Sequence, residues 1–221
     1  MEMDDPTKGA DCAMAVKRAR RKYGAPQRQA TPLTIEVLHA LQATCDDSLV
    51  GQRDRLLLQL GYETLRRRSE IIRFRFEDLI ATPAGTHRIL LRRSKTDQFG
   101  QGKQLPVSKH LVSLIHAWRG RLDRQSGYLI PRITKNTCVT TDPIPANHVN
   151  RVLQRRQRLA GLELDQPLTG HSFRVGGALD LLKRGVPLEK IMLRGGWKSE
   201  SSALRYLREW VGDDVLVWED D

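Results

Sequence analysis

A chain of 221 residues with 39% apolar content carries enough hydrophobic material for one large domain or two small ones, and it is expected to fold. No apolar stretch approaches the roughly 18 residues of a membrane span, and the acidic start MEMDDP does not have the form of a signal peptide, so a soluble protein of the cytoplasm or nucleoid is expected, with no membrane partner. Cys12, Cys45 and Cys138 are odd in number and far apart, which argues against a disulfide framework or a zinc site, and 37 basic against 26 acidic residues give a net charge of +11, the footprint of a polyanion binder.

Residues 14 to 30, MAVKRARRKYGAPQRQA, read as the basic end of a helix running into a Gly-Ala-Pro linker. After Pro32, Leu33, Val37, Leu38 and Leu41 fall at helical intervals, with Thr31 or Thr34 available as a cap. Residues 51 to 73 continue in helical rhythm, with Leu56, Leu57, Leu60, Leu65 and Ile72 on one broad face. FRFEDLI, HRILLRR and KQLPV are short β-like runs separated by turn residues, which predicts a small antiparallel sheet. Helices are then predicted over 108 to 122, 146 to 160, 171 to 184, 187 to 194 and 199 to 210, punctuated by Gly161, Gly185 and the Gly195-Gly196 pair. The loop 123 to 145 is long enough to carry short elements of its own. The fold class expected is α+β, mainly α.

Several side chains near the C-terminus suit phosphate chemistry. His171 and Arg174, three apart at a helix start, fall on one face and can point together at one anion beside the positive helix terminus. Arginine offers a planar fork of donors that matches phosphate oxygens. Taken singly, each candidate also has an ordinary reading. His171 and Arg174 can be solvated surface groups, Tyr206 a half-buried core residue and Trp197 a packing residue after two glycines. Arg67 and Glu70 can be a surface ion pair three apart on a helix, and Lys95 a solvated turn lysine between two strands.

In this order the residues resemble the tyrosine recombinase family of phage-type integrases, whose catalytic domain runs Arg, Lys, His-x-x-Arg, His or Trp, and Tyr. The first box is Arg67 and Glu70, chosen within the run Arg66, Arg67, Arg68 because it sets Glu70 in the family's Arg-x-x-Glu place. Lys95 stands for the hairpin lysine, His171-Ser172-Phe173-Arg174 for the second box, and Gly195-Gly196-Trp197 followed by Tyr206 for the end of the pattern. Trp at 197 makes the likeness closest to the Cre-like branch.

The resemblance, which runs from about Thr31 to Trp218, implies a catalytic domain over 31–221. It implies that residues 1–30 are a basic tail or linker from a core-binding domain of which little more than a helix around 14 to 23 is present. It implies that Tyr206 attacks a DNA phosphate to give a 3′-phosphotyrosine and a free 5′-hydroxyl. Arg67, Arg174 and the Trp197 indole would hold the non-bridging oxygens, Lys95 would protonate the leaving oxygen, His171 would serve as base or hydrogen-bond partner, and Glu70 would steer Arg67 and His171. No cofactor, metal or ATP is implied. The expected partner is double-stranded DNA, bound as a homotetramer by a protein that is monomeric when free, with accessory DNA-bending proteins as further partners. The tail VGDDVLVWEDD is expected to dock into a neighbouring subunit. Asn147, His148 and Arg151, near the start of the helix 146 to 160, are either major-groove readers or part of a merely basic, solvated helix. A type IB topoisomerase-like or telomere-resolvase-like strand transferase, or a catalytically idle DNA-binding module of the same fold, are the alternatives.

Overall fold

The computed structural model describes residues 10–23, 29–94 and 102–207. In these segments the helices are α1 (Ala10–Tyr23), α2 (Ile35–Ala43), α3 (Leu49–Thr64), α4 (Arg68–Ile71), α5 (Lys109–Leu122), α6 (His148–Leu159), α7 (Gly170–Lys183), α8 (Leu188–Gly195) and α9 (Glu200–Leu207). The strands are β1 (Leu79–Ala81), β2 (His87–Leu91), β3 (Lys103–Val107), β4 (Pro131–Ile133) and β5 (Val139–Pro143). The expected α+β class, mainly α with a small antiparallel sheet, is what the chain adopts. Among the described residues no helix is long and apolar enough to cross a membrane.

Helix starts follow from side-chain chemistry. Ser48 accepts from the Gly51 N–H at 3.0 Å and Ser108 from the Leu111 N–H at 3.0 Å, each filling a donor that the first turn leaves orphaned. The expected helix over 51 to 73 is interrupted. α3 stops at Leu65, which is left-handed at φ 53°, and only the single turn of α4 follows. Apolar spacing carries through this break because Leu65 and Ile71 are both buried, so periodicity alone did not expose it.

β1, β2 and β3 form one antiparallel sheet in sequence order, with Ile89 opposite Leu79 on one side and Leu105 on the other. Of the run FRFEDLI only its last two residues join β1, because Phe76–Asp78 forms a 3₁₀ turn. β4 and β5 pair as a second hairpin inside the long loop.

α3 is the central helix, buried through Leu56, Leu57, Leu58 and Leu60 among α2, α5 and α7. α7 is buried almost all round from Gly170 to Asp180, and its glycines make that possible. A Cβ at Gly176 would lie 1.9 Å from the Leu33 carbonyl oxygen, and one at Gly177 would lie 2.3 Å from Leu65. Glycine inside a helix costs about 1 kcal/mol against alanine, and here it admits backbone and side chain that alanine would exclude. A second cluster, including Leu65, Val175, Leu179, Ile191 and Leu207, joins the end of α3 to α7, α8 and α9.

Candidate active site

The left-handed turn at Leu65 sends the three arginines that follow in different directions. Arg66 turns inward and is 1% exposed. Arg67 is half buried at the N-cap of α4, and Arg68 is exposed, with its stem against Gly170. Glu70 is buried and accepts from the Arg67 backbone N–H at 3.2 Å and the Arg67 guanidinium at 3.3 Å. The Arg67–Glu70 pair is therefore not a surface pair on a helix. It spans a helix start, and the carboxylate fixes the direction in which Arg67 leaves the backbone.

Opposite this turn stands the N-terminus of α7. Thr169 caps it, accepting from the His171 N–H at 3.3 Å while its own N–H donates to Ser172 Oγ at 3.0 Å. The Gly170 N–H donates to Asn150 Oδ1 at 3.0 Å. Between α4 and this terminus lies a cavity of about 260 Å³, lined by Arg67, Arg68, Ser69, Asn150, Thr169, Gly170 and His171. A larger cavity of about 560 Å³ between α3 and α5 holds none of the candidate residues.

His171 and Arg174 lie on one face of α7 as expected, but at different depths. His171 is exposed at the mouth of the cleft, while Arg174 is 1% exposed. One Nη of Arg174 donates to the carbonyls of Leu65 at 2.7 Å and Gly195 at 2.8 Å, and its guanidinium carbon stands 4.2 Å from the centre of the Trp197 ring. Crowding around the imidazole, together with the positive charges of Arg174, Arg68 and Arg67, holds His171 below the ordinary histidine value. That direction favours the neutral imidazole, the form that can accept a proton.

Trp197 follows Gly196, whose φ of 72° ends α8 in the left-handed region that glycine adopts without strain. The Trp197 backbone N–H returns to the Met192 carbonyl at 3.1 Å, and the ring lies so close over Gly195 that a Cβ there would stand 1.8 Å from it. Tyr206 falls in the last turn of α9, next to the buried Leu207; its side chain is outside the described atoms. Lys95 and the tail VGDDVLVWEDD also lie outside the described residues, although the strands that flank Lys95 are paired, Leu91 opposite Lys103.

Arg67, Glu70, His171, Arg174 and Trp197 are thus gathered around the α3–α4 turn. Asn147, His148 and Arg151 are not part of that group. Asn147, at the N-cap of α6, and Arg151 within it are exposed, and His148 is half buried, held below the ordinary histidine value by burial and then by Arg53. Sequence reasoning missed Asn150, which links α6 to the floor of the cleft; an asparagine inside a helix, where its propensity is poor, was the available signal. It also missed Arg66 and Arg194, discussed below.

The sequence matches the Phage integrase family over residues 32–210. It is 29% identical over 212 residues to an integrase/recombinase xerD homolog of Selenomonas ruminantium, covering 93% of this chain and 62% of that protein. It is 30% identical over 168 residues to the recombinase cre of Escherichia phage P1, covering 71% of this chain and 49% of that one. The chain therefore spans about half to three fifths of the length of these relatives. The fold is also that of XerH site-specific recombinase bound to a palindromic difH substrate, at a TM-score of 0.66 and 17% identity over 87% of this chain and 54% of that one. It is likewise that of lambda integrase, solved as a tetramer on a Holliday junction, at a TM-score of 0.64 and 17% identity over 94% of this chain and 58% of that one. With four fifths of its length inside the family match, this chain belongs to the phage integrase family of tyrosine recombinases.

Proposed function

We propose that the chain is the catalytic module of a site-specific DNA recombinase, breaking and rejoining double-stranded DNA through a 3′-phosphotyrosine on Tyr206. The observation that carries this reading is the meeting of Arg67, His171, Arg174 and Trp197 at one turn, where the guanidinium groups of Arg67 and Arg174 stand with the buried carboxylate Glu70 directing Arg67. Such a site favours a phosphate whose negative charge grows as it becomes five-coordinate.

The Tyr206 hydroxyl attacks phosphorus, and its proton passes to the neutral His171. The P–O5′ bond breaks, and the Lys95 ammonium gives its proton to the leaving oxygen. Reversal of the same transfers, with a 5′-hydroxyl as nucleophile, reseals the strand. The bond energy is conserved in the phosphotyrosine, so no ATP is needed. Arg67, directed by Glu70, and Arg174, stacked on Trp197, hold the non-bridging oxygens. Trp197 supports assignment to the Cre-like branch, since the indole N–H is a donor and cannot act as a base.

Residues 1–30 are read as the link to a core-binding domain and 31–221 as the catalytic domain. The DNA partner is engaged by a tetramer, and the exposed side of α6 with Asn147 and Arg151 faces the duplex. The test is a nicked duplex that traps the adduct. Wild-type protein is expected to give an SDS-resistant protein–DNA species and Tyr206→Phe none, with half-site binding retained. An adduct formed by Tyr206→Phe removes Tyr206 as the nucleophile.

A further inference from the structure

Arg66 has no task in the chemistry above, yet it is a charged side chain only 1% exposed. Burial pulls its pKa down to about 10, which measures how poorly the site solvates the cation. Apolar residues of similar volume commonly replace buried charges with no loss of stability. Stability alone therefore does not account for an arginine here.

Its contacts do. One Nη of Arg66 donates to the Arg194 carbonyl at 2.5 Å, and the other lies against Gly196, where a Cβ would stand 2.6 Å away. The Arg194 carbonyl is one of three in succession at the end of α8 that are held by cations from three different elements. The Lys103 ammonium from β3 donates to Leu193, Arg66 to Arg194, and Arg174 from α7 to Gly195. The last carbonyls of a helix lack intrahelical partners and form the negative end of its dipole, so each cation is well matched to its acceptor. The side chain of Arg194 completes the clamp, donating to the carbonyls of Glu63 at 2.6 Å and Pro106 at 3.0 Å. Trp197 follows two residues after Gly195.

We propose that Arg66 is a positioning residue for strand transfer: by clamping the end of α8 to the α3–α4 turn, it fixes the Gly195-Gly196-Trp197 turn and keeps Trp197 stacked on Arg174. The proposal rests on the reading of Trp197 and Arg174 as groups that face the scissile phosphate. Arg66 is not itself a phosphate ligand, because it is buried and occupied by a carbonyl, whereas its neighbour Arg67 lines the cleft.

Two unbranched variants separate position from bulk: Arg66→Met, with no donor, and Arg66→Lys, which keeps a cationic donor. The 221-residue chain is labelled with 5-fluorotryptophan, and the Trp197 resonance is assigned through Trp197→Phe. Without DNA, Arg66→Met is expected to shift or broaden the Trp197 resonance and leave that of Trp118 unchanged, while Arg66→Lys restores it. On the nicked duplex at saturation, Arg66→Met is expected to slow adduct formation on the order of 10²-fold with half-site affinity within about threefold, and Arg66→Lys to recover most of the rate. An unmoved Trp197 resonance in folded Arg66→Met, or an Arg66→Lys no better than Arg66→Met, overturns the proposal. Should Arg66→Met not fold, Arg66→Leu, which also lacks a donor, replaces it under the same criteria. If wild-type protein forms no adduct, the recombinase reading fails while the fluorine spectra still decide the role of Arg66.

Discussion

Two buried guanidinium clusters flank α3 and are compensated in different ways. Near its first turn, Asp54 takes two hydrogen bonds from Arg53, at 3.1 and 2.7 Å, and two from Arg156 of α6, at 3.1 and 2.8 Å. Beyond its last turn, Arg66 and Arg174 donate to the carbonyls of Leu65, Arg194 and Gly195. A carboxylate cancels a full charge, whereas carbonyl dipoles satisfy hydrogen bonds and leave the positive charge in place. The first cluster is suited to fastening α6 to α3. The second ties the ends of α3 and α8 together through their last carbonyls. What neutralises a buried arginine tells more about its task than how deeply it is buried.

That contrast breaks most visibly at Asp54. Asp54→Ala leaves two buried guanidinium groups without their carboxylate, a loss expected to cost about 3–5 kcal/mol. For a chain of this size that lowers the melting temperature on the order of 10 °C. Adduct formation per folded molecule should hardly change; calorimetry beside suicide-substrate kinetics checks both, and an unshifted melting temperature contradicts the fastening role.

Arg174→Lys should do the reverse. Lysine keeps the charge but loses the fork, so the rate of adduct formation is expected to fall on the order of 10²–10³-fold. Half-site binding in a gel shift should stay within a few fold. Equal losses in rate and affinity would show that Arg174 acts through binding alone.

A smaller effect is expected at His171. Its folded pKa is depressed, so the stability tied to its neutral form is complete above about 6.5, the ordinary value, and is lost as pH falls through the lower folded value. The acid limb of the cleavage rate should accordingly lie below pH 6.5, and His171→Gln should flatten it. A limb at or above the ordinary value would mean that DNA or a carboxylate has raised the group instead. The smallest change is expected on α6: Arg151→Ala, at an exposed position, should reduce the slope of log K against log salt by about one. An unchanged slope would remove Arg151 from the DNA face.

Much of the fold was legible because caps and periodicity agree. Ser108, the Gly195-Gly196 pair and the leucine spacing set helix limits within a residue or two, from α5 to α8. The break at Leu65 was hidden, because a left-handed leucine has no local sequence mark and its side chain is as buried as a helical one would be. The residue order supplied Arg67, Glu70, His171, Arg174 and Trp197, which the fold gathers, but spacing could not give their depths. Arg174 is buried three residues after an exposed His171 because α7 is enclosed by α3 on one side and by α8 and α9 on another. The second hairpin, β4–β5, rests on pairing between distant residues such as Pro131 and Pro143, for which a local pattern gives no register.

The left-handed leucine also bears on which chain lengths the fold accepts. Removing any one of Arg66, Arg67 or Arg68 gives the same polypeptide, with two arginines where there were three and little change in composition. Direction beyond Leu65 is counted from that residue, however. The survivors would take the buried place and the N-cap place, while serine would stand where Arg68 leans on Gly170 and glutamate would arrive one position early, out of phase with the Arg67 backbone N–H that it now holds. Three like letters in a row thus give no tolerance to the loss of one, and an in-frame codon deletion in this stretch would be among the least forgiving lesions in the gene.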